Sequence, residues 1–91
     1  MAESIGIHHA VKVYGTDWCG DTSRTRAHLV MIGVPFNYYN VDLDAGMKRT
    51  AMSLQGGGEK SPVVDTGDGT VLVEPSDDEL DAALRASGHV K

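Results

Sequence analysis

The 91-residue chain carries 13 acidic residues against 8 Lys and Arg, for a formal charge of −5 and a pI near 5.1. That balance leaves no broad basic surface for nucleic acid or an anionic membrane leaflet. The hydrophobic fraction of 41% and charged fraction of 23% are those of an ordinary globular domain, and the length allows one such domain with a modest core.

The opening "MAESIGIHH" (1–9) has neither the basic start nor the apolar core of a signal peptide, and reads as a flexible N-terminal segment with His8 and His9 in solvent. "AVKVYG" (10–15) alternates and ends in Gly, as a strand does, with Asp17 as the expected cap at its far side. From Cys19 to Ile32 the spacing predicts a helix whose apolar face is Ala27, Val30 and Met31, continuing to Val34, stopped by Gly33 in a left-handed conformation. "PFNYYNVDL" (35–43) is a second strand with Tyr38 and Tyr39 on opposite faces. "DAGMKRTAMSLQ" (44–55) is a second helix capped by Asp44, with Met47, Ala51 and Leu54 on one side.

"GGGEKSP" (56–62) reads as a loop, and Pro62 opens the short strand "PVVDT". "TGDG" (66–69) reads as a hairpin turn with the positive φ angles supplied by Asp68-Gly69, leading to "TVLVE" (70–74). Ser76 and Glu79 form a capping box for a last helix, which Gly88 ends. The order β-α-β-α-β-β-α implies an α/β domain: a parallel first pair, an antiparallel hairpin and a four-stranded mixed sheet flanked by helices on both faces. The remaining His28 reads as a solvated helix residue, and the single Cys with four scattered His offers no metal-ligand spacing.

The chemistry concentrates at "YGTDWCGDT" (14–22). Cys19 falls in the turn after the first strand, where the N–H groups and dipole of a starting helix favour a thiolate. A lone Cys cannot staple its own chain, which agrees with a reducing, cytoplasmic location. The carboxylate of Asp21 is expected to oppose that thiolate, with Asp17 adding to the negative side and Lys60 the nearby cation. Trp18 reads either as a contact surface beside the thiol or as packing, and Tyr14 as strand packing or the edge of the site.

Together "VYGTDWCG", "GVPFNYYNVDLD", "LQGGGEKSPVV" and "EPSDDELDAAL" resemble the glutaredoxin and mycoredoxin branch of the thioredoxin superfamily across nearly the whole chain. The resemblance implies a thioredoxin-like fold and a thiol-disulfide oxidoreductase with Cys19 as nucleophile, in a motif Trp18, Cys19, Gly20, Asp21, Thr22 whose second Cys position holds Thr22. It implies a monothiol route, in which Cys19 exchanges with mixed disulfides of a low-molecular-weight thiol, mycothiol or glutathione, acting as a monomer with no tightly bound cofactor. It also implies a cis Pro62, with Ser61 and Lys60 as a substrate ledge, and a carboxylate of the small thiol held by N–H groups around Ser76 and Asp77. Where relatives carry Gly-Gly before that helix, this chain has Glu74-Pro75. The expected thiol is less acidic than is usual for the family, yet below the free value of about 8.5. Two alternatives stand beside this reading: a [2Fe-2S] module using one Cys from each of two chains, and a thioredoxin-fold adaptor without redox chemistry.

Overall fold

A computed structural model describes residues 10–90; the N-terminal segment with His8 and His9 lies outside the described residues. Its elements are β1 (Val11–Gly15), α1 (Gly20–Met31), β2 (Phe36–Asn40), α2 (Ala45–Leu54), β3 (Val63–Asp65), β4 (Val71–Val73) and α3 (Asp77–Ala86). β1 pairs parallel with β2, Val11 opposite Phe36 through Gly15 opposite Asn40, and antiparallel with β3, Tyr14 opposite Val63. β4 closes the mixed sheet as an antiparallel edge, giving the order β2-β1-β3-β4.

The two-residue period of the strands splits the core into two clusters. Val11, Val13 and Val64 point to the face covered by Leu29 of α1 and Leu80 and Leu84 of α3, with Phe36, Tyr38 and Leu72 packed around them. Tyr14 and Val63 point to the other face, under Ala51 of α2, joined by Tyr39, Met47, Leu54 and Val71. Leu29, Leu80 and Leu84 are wholly buried, each contributing on the order of 1.5–3 kcal/mol. Tyr14 stacks on Tyr39 with ring centroids 5.3 Å apart.

Local chemistry sets most boundaries. Asp44 accepts a hydrogen bond from the Met47 N–H at 3.0 Å and starts α2. Ser76 and Glu79 complete the capping box of α3. Gly33 follows α1 at φ +75°, a left-handed conformation that opens the chain toward β2.

Two features of the periodicity reading are corrected by the fold. The buried stripe of α1 is Thr22, Thr25 and Leu29, while Ala27, Val30 and Met31 lie exposed, Val30 and Met31 at 70% and 74%. The reason is the close approach of α1 to β1: a Cβ on Gly15 would sit 2.4 Å from Thr22 Oγ1. Thr22 faces inward there, and Thr25 and Leu29 follow on the same face at helical spacing. In the hairpin, the left-handed residues are Gly67 (φ +89°) and Gly69 (φ +97°), not Asp68. The connection runs from Thr66 to Thr70, and the Asp68 carboxylate closes it by accepting from the Thr66 hydroxyl at 2.6 Å and the Thr70 N–H at 3.1 Å.

Candidate active site at the start of the first helix

Cys19 is the N-cap of α1, with φ −84° and ψ 121°, and its side chain caps nothing. The turn from β1 is closed by the Cys19 N–H on Thr16 O (3.3 Å), and the helix begins with the Ser23 N–H on Cys19 O (3.1 Å). The N–H groups of the first helical residues are therefore free to point at sulfur. The thiol pKa is lowered from its ordinary value, chiefly by the Thr22 N–H and then the Thr22 hydroxyl, with smaller help from the Asp21 N–H and Ser61; partial burial opposes them. Thr22 Oγ1 is fully buried and has no hydrogen-bond partner beside the neutral thiol. Its proton becomes useful when the sulfur ionises, which reconciles an unpaired hydroxyl with its lowering of the thiol pKa.

Asp21 acts on the site through two groups. Its N–H acts on the sulfur, while its carboxylate lies 3.4 Å from Arg24 Nη2. Arg24 also donates to Asp77 Oδ1 at 3.2 Å and to Pro75 O at 3.4 Å, tying the start of α3 to α1. These contacts are half exposed, so they position more than they stabilise. Asp17 is not a cap. It accepts from the Tyr38 hydroxyl at 2.8 Å and lies 3.8 Å from Arg26, whose guanidinium sits 3.7 Å from the Tyr38 ring centroid. Burial and that bond to Asp17 push the Tyr38 pKa up to about 12.

Trp18 is 79% exposed, which removes the packing reading, and its Nε1 donates to Asp42 Oδ2 at 2.7 Å. Asp17 and Trp18 thus pin the cysteine turn from two sides. At Gly20, an added Cβ would meet nothing within 4 Å.

Ser61 and Pro62 arrive from the opposite side. The Cys19 thiol lies 3.9 Å from Ser61 O, a long contact, and the Ser61-Pro62 peptide is cis, as the resemblance implied. Gln55 shapes the loop that carries them: its Nε2 donates to Lys60 O at 2.9 Å and its Oε1 accepts from the Lys60 N–H at 3.0 Å. A groove of ≈150 Å³ runs beside this ledge, lined among others by Thr16, Trp18, Asp42, Lys48, Lys60 and Ser61. Glu74 donates its N–H to Pro62 O at 2.8 Å and adopts φ +51°, the conformation a glycine would take.

Around Ser76 the capping box takes one of the expected donors. The Ser76 N–H donates to Glu79 Oε1 at 2.8 Å, and the Glu79 N–H to Ser76 Oγ at 3.1 Å, while the Asp77 N–H has no such partner among the described residues. The Asp77 carboxylate is held by Arg24 and lies 3.7 Å from His28 Nδ1. His28 is not solvated: its side chain is 9% exposed and its Nε2 lies 2.6 Å from Asp81. Gly15, Asp42, Gln55 and Arg24 were missed from the sequence as shapers of the site. Gly15, ending a strand three residues before Trp18, carried a readable signal; for the other three no local pattern exists.

This arrangement, a helix-starting cysteine facing a cis-proline ledge on a four-stranded mixed sheet, agrees with what comparison with known proteins finds. The glutaredoxin family model matches residues 11–71, two thirds of the chain. The chain belongs to the glutaredoxin family. Two Mycobacterium tuberculosis proteins, one from strain CDC 1551 and one from strain H37Rv, both provisionally described as glutaredoxins, are each 30% identical over 78 residues, covering 86% of this chain and 93% of theirs. The crystal structure of a glutaredoxin from Archaeoglobus fulgidus superimposes with a TM-score of 0.76 at 25% identity, over 88% of this chain and 89% of that one. The protein is therefore a glutaredoxin-like redox protein of thioredoxin-like α/β fold. Among the described residues no helix is long and apolar enough to cross a membrane, and no cluster of three His, Cys, Asp or Glu could hold a metal ion.

Proposed function

We propose that this glutaredoxin is a monothiol thiol-disulfide oxidoreductase, with Cys19 as its catalytic residue and a low-molecular-weight thiol, mycothiol or glutathione, as co-substrate. The observation that carries the reading is the environment of the single cysteine: a lowered thiol pKa from the Thr22 N–H and hydroxyl, opposite Ser61, with a buried Thr22 where a second cysteine would stand. In the first step the Cys19 thiolate attacks the small-thiol sulfur of a mixed disulfide. A new S–S bond joins Cys19 to the small thiol, the old S–S bond breaks, and the released target thiolate takes a proton from solvent. In the second step the thiolate of another small-thiol molecule attacks that adduct, forming the symmetric small disulfide and returning Cys19 as thiolate. Per turnover one target thiol is released and one free small thiol is oxidised, joining the small thiol carried over from the mixed disulfide in the symmetric product.

Within this scheme Thr22 and the helix N–H groups stabilise sulfur as attacker and again as leaving group. Ser61 and Lys60 offer the ledge for an extended substrate, and Trp18, fixed by Asp42, offers a flat wall beside it. Such a protein acts as a monomer in a reducing compartment such as the cytoplasm, where the small thiol is kept reduced.

The test is turnover of one mixed disulfide carrying glutathione and one carrying mycothiol, each with its matching thiol, by the protein and by Cys19→Ser. Turnover that vanishes in the variant is expected, with a loss of at least about a thousandfold. A folded protein that turns over neither substrate would overturn the reading.

A further inference from the structure

The loop between α2 and β3 is built around one side chain. α2 ends at Leu54, and two left-handed glycines, Gly56 at φ +68° and Gly57 at φ +96°, turn the chain back on itself. Lys60 then returns to the Gln55 side chain and meets it twice: the Lys60 N–H donates to Gln55 Oε1 at 3.0 Å, and Lys60 O accepts from Gln55 Nε2 at 2.9 Å. The two bonds fix the orientation of the amide, since only its oxygen accepts and only its nitrogen donates.

A neighbouring strand holds a residue in the same way, by exchanging both backbone hydrogen bonds with it. The Gln55 amide stands in for that strand. Successive residues of an extended chain turn their N–H and C=O groups to opposite edges. Lys60 turned toward Gln55 therefore leaves Ser61 facing away from it, which agrees with Ser61 O lying 3.9 Å from Cys19 Sγ. Gly58 makes room for the arrangement. A Cβ there would lie 2.8 Å from Gln55 Oε1, and Gly58 is not among the left-handed glycines, so what its missing side chain provides is space for the amide.

We propose that Gln55 is a positioning residue for thiol-disulfide exchange: seated over Gly58, its amide holds Lys60 so that the backbone of Ser61 is presented to a disulfide whose cysteine is flanked by peptide bonds. The inference rests on Cys19 being the exchanging thiol. It gives the site a preference for disulfides that carry a peptide backbone over those with none to pair.

The test follows three reactions of the reduced protein at one pH: with the symmetric disulfide of N-acetyl-Ala-Cys-Ala-amide, with 2-hydroxyethyl disulfide, and with iodoacetamide. In each exchange the Cys19 thiolate bonds to one sulfur, the old S–S bond breaks, and the other half leaves as a thiolate. Only the peptide disulfide has a backbone to lay along Ser61. Gln55→Met keeps the length of the side chain without its hydrogen bonds, and Gly58→Ala keeps the amide but pushes it aside. Each variant is expected to slow the peptide disulfide about tenfold and the other two reagents by less than about twofold. The double variant should be no slower than either single one, because both act through one clamp. A fall shared equally by all three reagents, or a peptide rate that neither variant lowers, would overturn the inference while leaving Cys19 exchange intact. A parent protein that reacts with iodoacetamide but with neither disulfide would overturn the exchange chemistry, and the inference with it.

Discussion

The first and last helices treat their first N–H groups in different ways. α3 spends two donors on its own side chains: Ser76 and Glu79 exchange hydrogen bonds at 3.1 and 2.8 Å, and three acidic side chains sit in its first turn. α1 is left open: Cys19 occupies the cap position and caps nothing, so the Thr22 and Asp21 N–H groups act on the sulfur. A Ser, Thr, Asp or Asn at that position would stabilise the helix by about 1 kcal/mol, which α1 forgoes. The comparison teaches how a cap residue directs donors: Ser76 draws one to its own hydroxyl, whereas Cys19 leaves them to lower the pKa of its sulfur.

The comparison can be broken most severely beneath α1. Gly15→Ala puts a Cβ against Thr22 Oγ1, where the nearest atoms are the buried side chain of Thr22 itself. A loss of about 1–3 kcal/mol is expected, together with slower Cys19 alkylation because Thr22 is displaced from the sulfur; denaturant unfolding and an iodoacetamide rate check the two parts. An unchanged midpoint would mean that α1 can move away from β1 freely.

A smaller and more pointed test exchanges the roles of the two caps. Ser76→Ala should lower stability by about 1 kcal/mol, and Cys19→Ser should raise it by up to about the same amount while ending exchange. On a chain of this size each shift corresponds to roughly 4–8 °C in Tm per kcal/mol. If Cys19→Ser were no more stable than the parent, the open start of α1 would not be the source of the difference.

The smallest effect is expected at the donor behind the sulfur. Thr22→Val keeps the shape that packs on Gly15 and removes a hydroxyl with no other partner. Because the hydroxyl holds the thiol pKa down, its loss moves the midpoint of the alkylation pH profile upward, toward the free-thiol value of about 8.5, while fold stability stays level or rises slightly. The sign comes from the thiolate being the reactive form: at neutral pH the variant holds less of it and alkylates more slowly. A midpoint that does not move would assign the lowered pKa to the backbone alone.

Much of the molecule was legible in the chain order. The strand and helix sequence, the caps of α2 and α3, the stop at Gly33 and the position of Cys19 at a helix start all depend on neighbours within about four residues. Local turn and capping chemistry encodes such features directly. The glutaredoxin resemblance added the cis Ser61-Pro62 peptide, which spacing could not supply.

Other features required the chain to fold before they existed. Trp18 meets Asp42 across 24 positions, Tyr38 meets Asp17 across 21, Cys19 meets Ser61 across 42, and Arg24 and His28 reach α3 across 53. No sequence window contains both partners of these contacts, so His28 read as solvated. The face of α1 was misread for a related reason. Hydrophobic periodicity ranks Val30 and Met31 above Thr22 and Thr25, but the close packing of Thr22 on Gly15 turns the threonine face inward and leaves Val30 and Met31 exposed. By itself the sequence determined which elements form and that a single thiol begins a helix. Tertiary structure alone decided which charges face that thiol and which donors remain for it, because both depend on distances between segments far apart in the chain.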